Sequence, residues 1–191
     1  TAETKPKAEQ LLIKFGEDTK TKWAIAQFIK TIKENPDSVD LGGLKDIIEI
    51  INKTNPDILH LGTAPESLSP TDVQTLKKQF PNLKVMRSIP VRGEESVELA
   101  KQYDGVADYL LLDTQKKGDT QVGATGETHN WSVSKKIVES VNIPVILAGG
   151  LGPDNVAEAV LQVKPFGVDS KTKTDKTGSH EKDLGKVREF V

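Results

Sequence analysis

Short runs of strand-forming residues alternate with longer amphipathic runs along the chain, and this alternation constrains the fold more than any other feature. "QLLIKF" (10–15) precedes "TKWAIAQFIKTIKEN" (21–35), "SVDLGG" (38–43) precedes "LKDIIEIINKT" (44–54), and "DILHLG" (57–62) precedes "SPTDVQTLKKQF" (69–80). "KVMRSIPV" (84–91) and "EESVELAKQY" (94–103) continue the pattern, followed by "ADYLLLDT" (107–114) and "NWSVSKKIVESV" (130–141). It closes with "IPVILAGG" (143–150) and "PDNVAEAVLQV" (153–163), then "FGVDS" (166–170) and "HEKDLGKVREFV" (180–191). Within the helical runs apolar residues recur three and four apart, as at Val156, Ala159, Val160 and Val163. Ser69-Pro70 and Gly152-Pro153-Asp154 read as cap and first-turn residues of two of these helices.

Strand–helix alternation predicts a parallel sheet covered by helices. A closed barrel and an open doubly wound sheet both satisfy it. The chain supplies about seven βα units, against the eight of a closed barrel, and the shortfall falls at the N-terminal end. We favour a (βα)8 TIM-type barrel, with its first unit diverged or missing, because several strands end in glycine or polar residues suited to a shared rim. The 191 residues, 36% of them hydrophobic, suffice for one core, and we expect one domain over 1–191.

Charge and composition narrow the function. The 26 basic and 28 acidic residues leave a net charge of -2, which attracts neither nucleic acid nor an anionic membrane. Aromatic residues make up only 5%, too few for a base-stacking platform. With no cysteine, the chain has no disulfide, thiolate metal site or cysteine nucleophile. Its three histidines, at 60, 129 and 180, are too scattered to suggest a metal site. No apolar run approaches the roughly 18 residues of a membrane helix, so a cytoplasmic protein is the expectation.

Three segments hold candidate chemistry. Asp113 ends "YLLLD", at the C-terminal tip of a buried strand, where active sites of parallel α/β folds sit. It suits a general acid whose pKa is raised by partial desolvation, and equally a turn cap. "GATGETHNW" (123–131) offers a glycine-rich loop before a helix starting near Asn130 or Ser132. It departs from a Walker loop because Glu127 stands where a lysine is wanted, and its His129 reads as a solvated loop residue. "FGVDSKTKTD" (166–175) places Asp169, Ser170 and Thr172 beside lysines after the last strand. Together with Gly149-Gly150 in the preceding loop, whose bare N–H groups suit an anion, it predicts a phosphate site.

These segments resemble the phosphoribosylanthranilate isomerase family of tryptophan biosynthesis. "LLLD" followed by "GATGETHNW" is similar to the family's LLD and G-[GST]-T-G-K-T-x-x-W, and "VILAGGLGPDNVAEAV" to its LAGGL-x-P-x-N-V-x-x-A. "GVDSKTKTD…GSHEKDLGKVREFV" resembles GVD-x-SSG-x-E…G-x-KD-x-x-K-[IV]-x-x-F. The resemblance covers the C-terminal half and extends more faintly back to "PDILHLG". It implies an eight-stranded βα barrel that performs an Amadori rearrangement of a phosphorylated ribose derivative, without metal or organic cofactor, as a monomer or homodimer. It further implies Asp113 as general acid, and Gly126, Gly149, Gly150, Asp169, Ser170 and Thr172 on the substrate or its phosphate. The chain departs from the family at the rim. The cysteine base of the first strand is absent, either because Phe15 takes its place in a diverged strand or because the true first strand is missing; SSG is replaced by Lys171-Thr172-Lys173, and "ILHLG" stands for QLHG.

Overall fold

The computed structural model describes residues 23–25, 43–115, 122 and 127–191. Six parallel strands form one sheet in sequential order: β1 (Trp23–Ile25), β2 (Ile58–Leu61), β3 (Lys84–Pro90), β4 (Tyr109–Asp113), β5 (Val145–Leu147) and β6 (Gly167–Val168). Helix α1 (Leu44–Thr54) leads into β2, and α2 (Pro70–Gln79), α3 (Glu95–Tyr103), α4 (Trp131–Ser140) and α5 (Val156–Val163) follow β2 to β5 in turn. Helix α6 (Leu184–Phe190) follows β6. No helix among the described residues is long and apolar enough to cross a membrane.

Local sequence explains the elements. Ser69 caps α2 through a reciprocal bond pair with Asp72, and Pro70 supplies a first-turn residue with no N–H to satisfy. Helix α1 buries Ile47 and Ile51 on one face and ends at Asn55, whose left-handed φ of 42° breaks the helix.

The strand order and the two faces of the sheet decide between the architectures. A doubly wound sheet reverses its strand order and carries helices on both faces. Here the order never reverses. On one face Leu59, Leu61, Val85, Ile89, Leu110, Leu112, Val145 and Leu147 pack with apolar residues of α1 to α5. On the other, Met86, Leu111, Ile146 and Ala148 pack with Ile58 and Tyr109, all from strands or their immediate ends. Helices outside and strand side chains alone inside are the layers of a TIM-type barrel. Among the described residues the ring is not closed, since β1 and β6 each have one neighbour.

The expectation of a helix over 21–35 fails at its start, where Trp23–Ile25 pairs in parallel with Ile58–His60. Strand pairing overrides the 3–4 spacing of apolar residues there. The strand expected at 10–15, and the one at 38–43 except Gly43, lie outside the described residues. Helix α5 begins at Val156 with Asn155 as its cap position, later than Gly152-Pro153-Asp154 suggested. Asn155 instead ties the turn, accepting from Gly152 N–H at 2.9 Å and donating to the Gly150 carbonyl at 3.1 Å.

Arg87 is the one charged residue on the apolar outer face of β3, and it is fully buried. Its guanidinium donates to the Leu61 carbonyl at 3.2 Å and the Thr63 carbonyl at 2.7 Å, pinning the chain as it leaves β2. It also lies over the Tyr103 ring, 5.6 Å from the centroid. Burial lowers its pKa from the ordinary value. Arg87→Met keeps the apolar stem but orphans these carbonyls, and should cost about 2–4 kcal/mol. Urea unfolding checks this as a lowered midpoint with unchanged slope.

Candidate functional site

Every strand of a parallel sheet presents its C-terminal end at the same edge, so Asp113, Gly149-Gly150 and Asp169 lie along one rim. The register is direct: Leu112 pairs with Leu147, and Leu147 with Val168. Ala148 N–H donates to the Leu112 carbonyl and Asp169 N–H to the Leu147 carbonyl, each at 2.8 Å, extending the ladder one residue further. Asp113 and Asp169 therefore flank Ala148. Two strand spacings separate their backbones by roughly 10 Å. Side chains alternate along a strand, so both carboxylates share the inner face with Leu111 and Ile146. The side chain between the two acids is the methyl group of Ala148.

Asp113 is only 9% exposed, and its Oδ1 accepts from Thr114 N–H at 2.7 Å. Around it two segments, 113–114 and the one holding His129, converge on Gly149. A Cβ on that glycine would lie 2.6 Å from Thr114 Oγ1, 2.9 Å from His129 Nδ1 and 3.2 Å from Asp113 Oδ1. A Cβ on Gly150 would meet the backbone of Glu127 and Thr128 at 2.6–2.9 Å. Both glycines have positive φ, 83° and 61°. The paired glycines thus let the β5 loop turn left-handed directly against the loop entering α4. Among the described residues neither glycine N–H donates a hydrogen bond within the chain.

His129 differs from its expected role as a solvated residue. It is largely enclosed, and burial alone lowers its pKa to about 4. Thr114 gives its hydroxyl proton to the Glu127 carbonyl at 2.7 Å, so toward His129 Nδ1, 3.4 Å away, it acts as acceptor. The neutral imidazole then carries its proton on Nδ1 and accepts at Nε2 from the fully buried Ser134 hydroxyl, 2.7 Å away. A readable signal existed in Ser134, a polar residue beside Val133 on the apolar face of α4. Asn130 caps α4 by accepting from Ser132 N–H at 3.0 Å.

The loop after β6 joins the same rim. Ser170 is buried and donates to the Leu151 carbonyl at 2.6 Å, so its hydroxyl ties the β6 loop to the β5 loop. Thr172 is exposed and opens a short 3₁₀ turn, Thr172–Thr174. A Cβ on Gly152 would lie 2.8 Å from Lys173 Cβ, a second close contact between these loops. Gly126, the remaining expected site residue, lies outside the described residues. No cluster of three or more histidine or acidic residues suited to a metal ion occurs among the described residues.

The family model described as N-(5'phosphoribosyl)anthranilate (PRA) isomerase matches residues 43–191. The N-(5'-phosphoribosyl)anthranilate isomerase of Methanocella arvoryzae is 40% identical over 149 residues, covering 76% of this chain and 65% of that protein. N-(5'-phosphoribosyl)anthranilate isomerase 2 of Methanosarcina mazei is 44% identical over 117 residues, covering 61% of this chain and 51% of that protein. The aligned part thus spans between half and two thirds of these relatives' length. Among solved structures, N-(5'-phosphoribosyl)anthranilate isomerase from Pyrococcus furiosus superposes with a TM-score of 0.60 at 27% identity, covering 86% of this chain and 78% of that one.

Two outcomes test this geometry. Gly105 has a positive φ of 72°, and a Cβ there would meet nothing within 4 Å, so it isolates backbone strain. Gly105→Ala should cost about 1 kcal/mol, and Gly150→Ala at least about 2 kcal/mol, because backbone must also move. Equal losses in chemical denaturation would show that the close approach is not tight.

The second outcome concerns His129, whose folded pKa of about 4 lies below the ordinary 6.5. Its depressed value means stability is full above pH 6.5 and is lost as pH falls toward 4. The loss from this group should reach about 2–3 kcal/mol. His129→Gln should show a flatter stability curve over that window. Parallel curves for the two proteins would remove His129 from the acid response.

Proposed function

The chain belongs to the N-(5'-phosphoribosyl)anthranilate isomerase family, and from that premise we propose that it binds a phosphorylated, ring-closed ribosylamine and converts it from aldose to ketose. The observation that carries this reading is the rim itself. Asp113 and Asp169 flank Ala148 on one face, beside a glycine loop bonded to the β6 loop through Ser170 and Leu151.

The reaction is an internal transfer of a proton from C2 to C1. An acid protonates the ring oxygen, the C1–O bond breaks, and the nitrogen lone pair forms an iminium at C1. A base then removes the C2 proton, giving an enol-amine that takes up a proton at C1 as C2 becomes the ketone. Asp113 is the acid in this scheme, and Asp169 faces the sugar hydroxyls across Ala148. The phosphate lies against the loops of Gly149-Gly150 and Ser170–Thr172, with Gly126 added by its motif alone. No step requires a metal or organic cofactor.

The base is the weak part of this chain. This sequence holds no cysteine, its family match begins at residue 43, and a chain without a positioned base is slower by about 10² to 10⁴. Purified protein should therefore turn over N-(5'-phosphoribosyl)anthranilate slowly, and Asp113→Asn should reduce that further by a comparable factor. Turnover at the rate of cysteine-bearing family members would refute the account of the base. Slow turnover untouched by Asp113→Asn would remove the catalytic role and leave a phosphate-ligand binder on a barrel scaffold.

A further inference from the structure

Lys182 precedes α6 and is nearly buried, with its side chain 10% exposed. A lysine beside a proposed phosphate loop invites a reading as a phosphate ligand, but its ammonium is turned into the chain. Nζ donates to the Lys171 carbonyl at 2.7 Å, to Thr174 Oγ1 at 2.8 Å, and more weakly to the Ser170 carbonyl at 3.5 Å. Asp175 Oδ1 lies 2.8 Å from Nζ, within ion-pair distance but out of line for a hydrogen bond. Asp175 is 4% exposed, and its other oxygen accepts from Lys171 Nζ at 3.1 Å. An antiparallel bridge between Asp175 and Lys182 and a bond from Asp183 N–H to the Thr174 carbonyl at 2.9 Å hold the two segments together.

Peptide planarity gives these bonds a directional consequence. In a trans peptide the N–H points opposite to the carbonyl that precedes it. Drawing the Ser170 and Lys171 carbonyls toward Lys182 therefore turns the N–H groups of Lys171 and Thr172 away from it. Among the described residues neither N–H donates within the chain. Ser170 meanwhile anchors the start of the turn on Leu151. We infer that Lys182, held by Asp175, is a positioning residue that aims the Lys171 and Thr172 N–H groups at the substrate phosphate without touching it. This inference rests on the phosphate assignment in the proposed function and specifies what organises that end of the site.

The pair of charges makes positioning separable from simple attraction. Lys182→Met removes a cation and also the carbonyl bonds, so both accounts expect weaker phosphate binding. Asp175→Asn removes an anion beside the loop. Attraction alone expects tighter phosphate binding, whereas positioning expects weaker binding because Lys182 is released. The probe is inorganic phosphate, followed by amide NMR shifts of Gly149, Gly150, Lys171 and Thr172 at fixed ionic strength. Both variants should weaken binding about tenfold, the effect of losing one well-aimed bond to an anion. Binding by Asp175→Asn as tight as, or tighter than, that of the parent protein overturns the inference.

Residual dipolar couplings of the backbone N–H bonds in phosphate-free protein read the direction of these groups without a ligand. Altered couplings at Lys171 and Thr172 in both variants, with unchanged couplings in β4 and β5, support positioning. Unchanged couplings at Lys171 and Thr172 overturn it. If the parent protein shows no phosphate-dependent shift at these amides, the phosphate assignment fails, and the couplings still decide whether Lys182 orients the turn.

Discussion

A parallel strand must be buried on both faces, and in this chain the two faces are buried by different partners. Helices cover the outer face, while the inner face is closed by strand side chains meeting one another. That asymmetry determines where the rim residues fall. Side chains alternate, so every second residue of each strand is directed inward, and the last inward residue of a strand emerges at the rim. Asp113 and Asp169 occupy such positions because of the β4–β5–β6 register. A one-residue slip of β4 would exchange Leu112 for Asp113 on the helix-covered face, burying a charge against apolar helices. The cost of that slip makes the placement of the acid a consequence of the core.

The rim loops are held by close approach and by hydrogen bonds in a way that the strands alone do not provide. Gly149 and Gly150 admit the 127–129 segment at distances that a methyl group would forbid. His129 bridges Ser134 on α4 to Thr114 at the end of β4, and its neutrality fixes which nitrogen donates. Across the next gap Ser170 bonds Leu151, and Asn155 braces the turn between Gly150 and Gly152. Each loop after β4, β5 and β6 thus leans on its neighbour. The two left-handed glycine conformations, which a residue with a Cβ would adopt only under strain, fall beside the candidate acid.

Much of this was legible because local signals and tertiary demands agree. The 3–4 spacing of Leu44, Ile47, Ile48 and Ile51 marks α1 with its observed bounds, and Ser69-Pro70 marks the start of α2. Asp113 was readable as a strand tip because three leucines precede it. Other features depend on partners distant in sequence. Trp23–Ile25 lies in a stretch with helical spacing, yet β2 captures it as a strand. His129 looked solvated because its hydroxyl partners lie at the end of β4 and on α4, fifteen residues before and five after it. The later start of α5 follows from Asn155, whose side chain bonds the turn before it instead of capping the helix.

The charge arrangement at the β6 loop bears on the proposal that a phosphate there is met mainly by backbone. Replacement of the family's SSG by Lys171-Thr172-Lys173 suggests a gain of cationic attraction when only the sequence is read. The structure disperses it. Lys171 bonds Asp175 Oδ2 and His180 Nδ1, both at 3.1 Å, and Lys182 is turned onto the chain's own carbonyls. Lys173 stands 3.9 Å from Asp154 in an exposed pair that water and salt screen. With Lys171 and Lys182 engaged inside the chain, the donors that remain at the turn include the peptide N–H groups of Lys171 and Thr172, whose direction is set by the carbonyls behind them. An ammonium adapts to an anion by moving, whereas a peptide N–H cannot. Under the proposed phosphate assignment, the loop gains specificity for an anion at one position through being held, and the buried charges act by fixing geometry.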